Sequence, residues 1–184
     1  LVLDLSKYMN DVLEINPEER TARVQPGINL DLLNTKLLPH GLMYGPDPSS
    51  SNRATVGGVV SNNSAGAHSI LYGMTADHLQ QVSLLLADGA TVALDRSALA
   101  RAGQDDALGR LMTKIVAFQE QRAPLIARDF PRHWRRATGY SLNELLKDDF
   151  NPARLLASSE GTFGTLLDVT VGLVPRPTKT ALAL

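Results

Sequence analysis

The 184-residue chain contains no cysteine. That excludes a disulfide scaffold, a thiol nucleophile, a Cys-ligated zinc site and a Cys-bound iron–sulfur cluster within it. Aromatic residues are scarce at 5%, so Leu, Val, Ile and Ala must fill the core. Charge is nearly balanced, 18 Lys and Arg against 19 Asp and Glu, which argues against a general nucleic-acid binder. No apolar run approaches the roughly 20 residues that span a membrane, and no signal-peptide pattern opens the sequence. A cytosolic protein fits these absences best. Familiar chemical signatures are missing too. There is no strand–GxGxxG–helix fingerprint, no GxxxxGK(S/T) loop and no histidine pair at metal-ligand spacing. His68, Asp77 and His78 make a triad only on paper, because no nucleophile elbow accompanies them.

What is present is concentrated in residues 46–73, PDPSSSNRATVGGVVSNNSAGAHSILYG. Glycines 57, 58, 66 and 73 are interleaved there with Ser, Thr and Asn, and only Arg53 is charged after Asp47. Glycine lets the backbone approach a ligand closely and reach positive φ, while hydroxyl and amide side chains supply neutral hydrogen-bonding groups. Such a run suits a backbone wrapped around something large, polar and flat. Composition alone favours a solvated loop.

The length suits one compact domain, or two lobes sharing a core. Residues 1–5, 12–15 and 21–25 read as short strands separated by turns. The opening Leu1-Val2-Leu3-Asp4-Leu5 looks like a strand already under way, so a fragment of a longer protein is expected. Apolar spacing predicts a helix over residues 29–38, stopped by Pro39. Residues 81–87 and 91–94 flank Asp88-Gly89-Ala90, a tight hairpin signal. A further helix carries Leu108, Leu111, Met112 and Ile115 on one face, with Asp105 or Asp106 as N-cap and Pro124 beyond its end. Residues 141–146 suit a short capped helix. In the last strand, 165–174, Thr165, Leu167, Val169, Val171 and Leu173 share one face. Strands at both ends with helices between them give an α+β fold.

Arg128, Arg132, Arg135 and Arg136 gather around His133 and Trp134. The cluster reads either as a solvated face or as an edge that grips carboxylates, which Arg holds bidentately. Trp134 could equally anchor a core.

A second glycine-bearing motif, Ser158-Ser159-Glu160-Gly161-Thr162-Phe163-Gly164, precedes the last strand. With the 46–73 stretch, it resembles a known pattern. The chain is similar, essentially end to end, to the FAD-binding domain of the vanillyl-alcohol oxidase/PCMH-type flavoprotein superfamily. The match is best to the FAD-linked 2-hydroxyacid dehydrogenase branch: D-lactate dehydrogenases, glycolate oxidase flavin subunits and D-2-hydroxyglutarate dehydrogenases. The carrying pieces are LVLDLSKYMN at the start, TARVQPG at 21–27, TVGG at 55–58, NNSAG at 62–66, YG at 72–73, LADG at 86–89 and SEGTFG at 159–164. Gly139-Tyr140-Ser141-Leu142 after paired arginines resembles the large members that carry a further iron–sulfur segment.

The resemblance implies a PCMH-type fold, mostly its second subdomain, an antiparallel or mixed sheet with flanking helices. Residues 1–184 would be a partial FAD-binding domain. Pro48, Ser49, Thr55, Val56, Gly57, Gly58, Asn63, Ala65 and Gly66 would line the flavin and ribityl–pyrophosphate path. Gly73 would permit close approach, and Gly161 and Gly164 would lie on the cofactor's other side. A helix beginning near Val56 would add its positive end to the backbone amides that receive the pyrophosphate. FAD would be bound non-covalently, and His68 takes no linking role. The family's "RGxGTS" loop and its histidine-bearing substrate domain are expected outside this chain, so the fragment alone would bind FAD weakly or not at all and be inactive. The full-length protein would oxidise a small D-2-hydroxy acid by hydride transfer to flavin N5. Electrons would pass to a quinone, an iron–sulfur segment or another carrier. Its place would be the cytoplasm or the periphery of a membrane. The alternatives are another FAD-linked oxidase of the superfamily, or an interaction module that keeps the fold without flavin.

Overall fold

The computed structural model describes residues 2–136 and 138–179. Seven strands and five α-helices form its regular frame, an α+β arrangement as expected. Strands β1 (Val12–Asn16), β2 (Thr21–Val24), β4 (Leu79–Leu85), β5 (Thr91–Leu94) and β6 (Thr165–Gly172) make one sheet in the order β1-β2-β6-β4-β5, antiparallel throughout. The last strand thus inserts between strands from the first half of the chain, closing the sheet only after residue 165 is made. A small second sheet pairs β3 (Leu42–Met43) with β7 (Val174–Pro175). Residues 2–5 form no strand, contrary to the sequence reading; Leu1 lies outside the described residues.

One face of the main sheet is packed. Helices α1 (Leu30–Leu37) and α2 (Val56–Ser61) place Leu30, Leu33, Leu37, Val56, Val59 and Val60 against Val24, Val82, Val169 and Val171, all buried. The opposite face carries Arg23, whose Nε and Nη2 donate to both carboxylate oxygens of Asp168 at 2.9 and 3.0 Å. That bidentate pair pins β2 to β6 and holds the Asp168 carboxyl below the usual range.

The hairpin forms as read: Gly89 adopts φ +85° between β4 and β5, which only glycine takes without strain. Two expectations change. A register shift in the β4–β6 ladder opposes Ser83 to Asp168 but Leu84 to Leu166, so Leu166 turns inward and Leu167 stays partly exposed. The extra residue of a bulge reverses the alternation there. Helix α5 (Ala107–Asp129) runs through Pro124 and does not stop before it. Beyond the proline, Ile126 is buried with Leu145 and Phe150, and that packing offsets the lost hydrogen bond. Asp106 caps α5 by accepting from the Gly109 amide at 2.7 Å. Two short helices, α3 (Ser69–Tyr72) and α4 (Thr75–His78), were not foreseen. Residues 142–146 form a 3-10 turn. Among the described residues, no helix is long and apolar enough to cross a membrane, and no cluster of metal-ligating side chains occurs.

Candidate cofactor site

The first wall of the site is α2. Thr55 caps it in extended conformation, its hydroxyl accepting from the Gly58 amide at 3.4 Å. The Val56 amide donates to the Ile28 carbonyl at 2.9 Å and the Gly57 amide to the Pro26 carbonyl at 2.7 Å. The helix does begin at Val56, yet its first-turn amides are already occupied by the Pro26–Ile28 backbone and the cap. Its positive end therefore has no free donors there to receive a phosphate. What its glycines provide is space. A Cβ on Gly57 would lie 2.8 Å from the Pro26 side chain, whereas one on Gly58 would meet only the Thr55 hydroxyl at 3.4 Å. Gly57 is set by packing, and Gly58 is exposed.

The second wall is the turn 158–164. Four of its seven residues have positive φ: Ser158 (67°), Glu160 (52°), Gly161 (75°) and Gly164 (154°). The turn hangs from the end of α2, since the Glu160 amide donates to the Ser61 carbonyl at 3.0 Å and the Ser158 amide to the Val60 carbonyl at 3.4 Å. Among the described residues, the amides of Gly161, Phe163 and Gly164 meet no acceptor. Nothing lies within 4 Å of a Cβ built on Gly161.

Between these walls and residues 3–5 lies a cavity of about 580 Å³, well within the range of about 300–1,000 Å³ typical of cofactor sites. It brings together Thr55, Gly57, Gly58, Gly161 and Gly164 of the residues expected to hold the cofactor. Pro26, Ser61, Asn62, Glu160 and Thr165 also line it. Of these, Pro26, Asn62 and Glu160 sit inside the PG, NNSAG and SEGTFG motifs, so their motif membership was the available signal. Asp4 adds a carboxylate held below its usual range by the hydroxyl and amide of Ser6. Among the described residues, no Lys, Arg or His lines the cavity. Its chemistry is hydroxyls, an amide, unpaired backbone donors and two carboxylates. The residues fit a FAD that runs over glycine backbone: the side chains missing at Gly58 and Gly161 are cavity space.

The remaining expected residues lie outside the cavity. Val56 faces the core. Asn63 is buried at positive φ, its carbonyl oxygen accepting from the Ala76 amide at 2.9 Å and its amide donating to the Arg136 carbonyl at 3.1 Å. It is a buried tie between segments. Pro48 is buried and Ser49 exposed, in a turn closed by the Ser51 amide on the Pro48 carbonyl at 2.9 Å. Ala65 and Gly66 follow beside Asp47, and a Cβ on Gly66 would collide with the Asp47 carbonyl. Gly73 has φ +84° and abuts the Asp77 carboxylate, which caps α4 through the Met74 amide at 2.9 Å. The paper triad dissolves: His68 pairs with Asp47, and His78 lies between the carbonyls of Tyr72 and Gly172.

Residues 1–95 match the family described as FAD binding domain. The chain is 38% identical over 183 residues to the D-2-hydroxyglutarate dehydrogenase of Pseudomonas putida, covering 96% of this chain and 18% of that protein. It is 35% identical over 183 residues to the glycolate oxidase subunit GlcD of Bacillus subtilis, covering 98% of this chain and 29% of the relative. It therefore spans less than a third of either. An alkyldihydroxyacetonephosphate synthase structure superposes on 96% of the chain and 25% of its own length, with TM-score 0.59 and 22% identity, a likeness of fold alone. With the order of its motifs, its antiparallel sheet and its glycine-walled cavity, the chain belongs to the FAD-binding domain family.

Proposed function

We propose that this chain forms one wall of the FAD site of a flavin-dependent dehydrogenase that oxidises a D-2-hydroxy acid. The observation that carries the reading is the single cavity into which TVGG, from residues 55–58, and SEGTFG, from 159–164, both open. Gly58 and Gly161 would leave room for the cofactor's polar chain. The amides of Gly161 and Gly164 would donate to its acceptor atoms, and the hydroxyls of Thr55, Ser61 and Thr165 would complete the contacts. Pro48, Ser49, Ala65, Gly66 and Gly73 would continue the path toward the ring. Val56 and Asn63 would act from behind, by fixing α2 and the turn that follows it.

When bound, the flavin supplies the two-electron acceptor for the hydride of the substrate's Cα–H. No residue of this chain is assigned the base that takes the hydroxyl proton. The names of the relatives support D-2-hydroxyglutarate, glycolate and D-lactate as the substrate class. The electron acceptor would be a quinone, an iron–sulfur segment or another carrier, and the protein would work in the cytoplasm or at a membrane surface.

The test is the full-length protein. Stoichiometric flavin absorbance, with bleaching on addition of one of these three acids and turnover with an artificial acceptor, is the expected result. A colourless protein that takes up no added FAD removes the reading. Flavin without bleaching by any of the three removes the substrate class.

A further inference from the structure

Nothing in the fold explains Glu160. Its backbone sits at φ 52°, a left-handed conformation that glycine and asparagine take at less cost than a long side chain does. The turn holds it there through its amide, bonded to the Ser61 carbonyl at 3.0 Å. The side chain adds nothing to that hold. Among the described residues, the Glu160 carboxylate makes no hydrogen bond and no ion pair. Yet Glu160 lines the cavity, together with Gly161 and Gly164, whose amides are unpaired.

The other carboxylate of the lining is committed differently. One oxygen of Asp4 accepts from the Ser6 hydroxyl at 2.6 Å and the Ser6 amide at 2.9 Å. Glu160 is therefore the lining carboxylate without a protein donor. Two carboxylates, with no cation among the described lining residues, make poor surroundings for a phosphate. A phosphate ester brings negative charge and acceptor oxygens, and a carboxylate can bond neither. A sugar hydroxyl is both donor and acceptor. Neighbouring hydroxyls can accept from the Gly161 or Gly164 amide and donate to the Glu160 carboxylate. Dinucleotide sites of other folds pair a carboxylate with a ribose hydroxyl in the same way.

We propose that the Glu160 carboxylate accepts a hydrogen bond from a sugar hydroxyl of the FAD, on its ribose or its ribityl chain, and that the pyrophosphate lies outside this cavity. The assignment rests on the FAD reading above. It gives a reason for a charged side chain at a strained position where folding has no use for one.

The test titrates FAD into the full-length protein stripped of flavin, followed by calorimetry. Glu160→Gln keeps the size and an acceptor oxygen but loses the charge, whereas Glu160→Ala loses the acceptor as well. FAD affinity is expected to fall about threefold to tenfold in the first and about tenfold to a hundredfold in the second. The melting temperature of the flavin-free protein stays at the wild-type level in both, because the side chain holds nothing in the fold. Parallel titrations identify the sugar. ADP carries the ribose alone and FMN the ribityl chain alone, and the one that Glu160 serves loses affinity in the variants. A carboxylate beside the pyrophosphate would act in the opposite sense, since removing its charge relieves repulsion and tightens FAD binding. Tighter or unchanged FAD binding in both variants overturns the proposal. A wild-type protein that takes up no FAD removes the FAD reading itself, and the proposal with it.

Discussion

The two walls of the cavity use glycine for opposite reasons. In α2 the backbone is ordinary helix and its first-turn amides are taken by the Pro26 and Ile28 carbonyls and the Thr55 cap, so Gly57 and Gly58 matter for what they leave out. In the turn 158–164 the backbone has positive φ at four positions and, among the described residues, three amides meet no acceptor, so glycine matters for the path the chain takes. One wall is a smooth surface and the other a source of donors. The first amides of a helix have no acceptor within it, and here a neighbouring segment takes them, whereas the turn at positive φ keeps donors of its own unpaired. A polar cofactor needs both a surface to approach and groups to bond.

Gly164→Ala gives the sharpest break of that contrast. Its φ of 154° is closed to side chains, and a Cβ would sit 2.6 Å from the Leu85 carbonyl and 2.9 Å from the Leu84 side chain. Strain and collision together cost about 3–5 kcal/mol. Thermal melting of the full-length protein should fall by about 10 °C or more. A melting point within a degree or two of wild type would mean that the turn relaxes freely, and the walls would then not differ.

Gly57→Ala is the milder counterpart on the helical wall. The new methyl meets Pro26 at 2.8 Å, an overpacking cost of about 1–3 kcal/mol that the better helix propensity of alanine offsets by about 1 kcal/mol. A small fall in melting temperature is expected, with α2 displaced and flavin bound less tightly. A rise would place Gly57 with the exposed glycines.

Much of this arrangement is legible in the sequence because local rules govern it. Asp88-Gly89 writes the hairpin, Asp106 writes the start of α5, and the spacing of Leu30, Leu33 and Leu37 writes α1. The two glycine motifs could be named, but not joined, because the Ser61–Glu160 hydrogen bond spans about a hundred residues of chain. The same holds for the α2 amides, whose acceptors at Pro26 and Ile28 come from a different element. The bulge in β6 is hidden for another reason: Thr165, Leu167 and Val169 continue a plausible alternation that only the β4 register breaks. Asn63 could be read as a cofactor residue but not as a tie, because its partners Ala76 and Arg136 are set by tertiary packing. Trp134, left open between core anchor and surface, is 53% exposed.

Gly58 separates a structural glycine from a functional one most cleanly. It lies inside a helix, exposed, with an ordinary φ and room for a methyl beside Thr55. On folding grounds alanine is better there by about 0.5–1 kcal/mol, through lower backbone entropy in the unfolded chain. Stability alone therefore gives no reason for glycine. The Gly58 backbone lines the cavity, so the same methyl that stabilises the helix takes up cofactor space. Gly58→Ala should raise the melting temperature of the cofactor-free protein by about 1–4 °C while weakening FAD binding, measured by titrating the apoprotein and following flavin fluorescence. The two changes run in opposite directions, which no loss of folding can imitate. If the variant is stabilised and binds FAD as the wild type does, the helical wall is not part of the FAD site, and the turn at 158–164 must hold the cofactor from the other side alone.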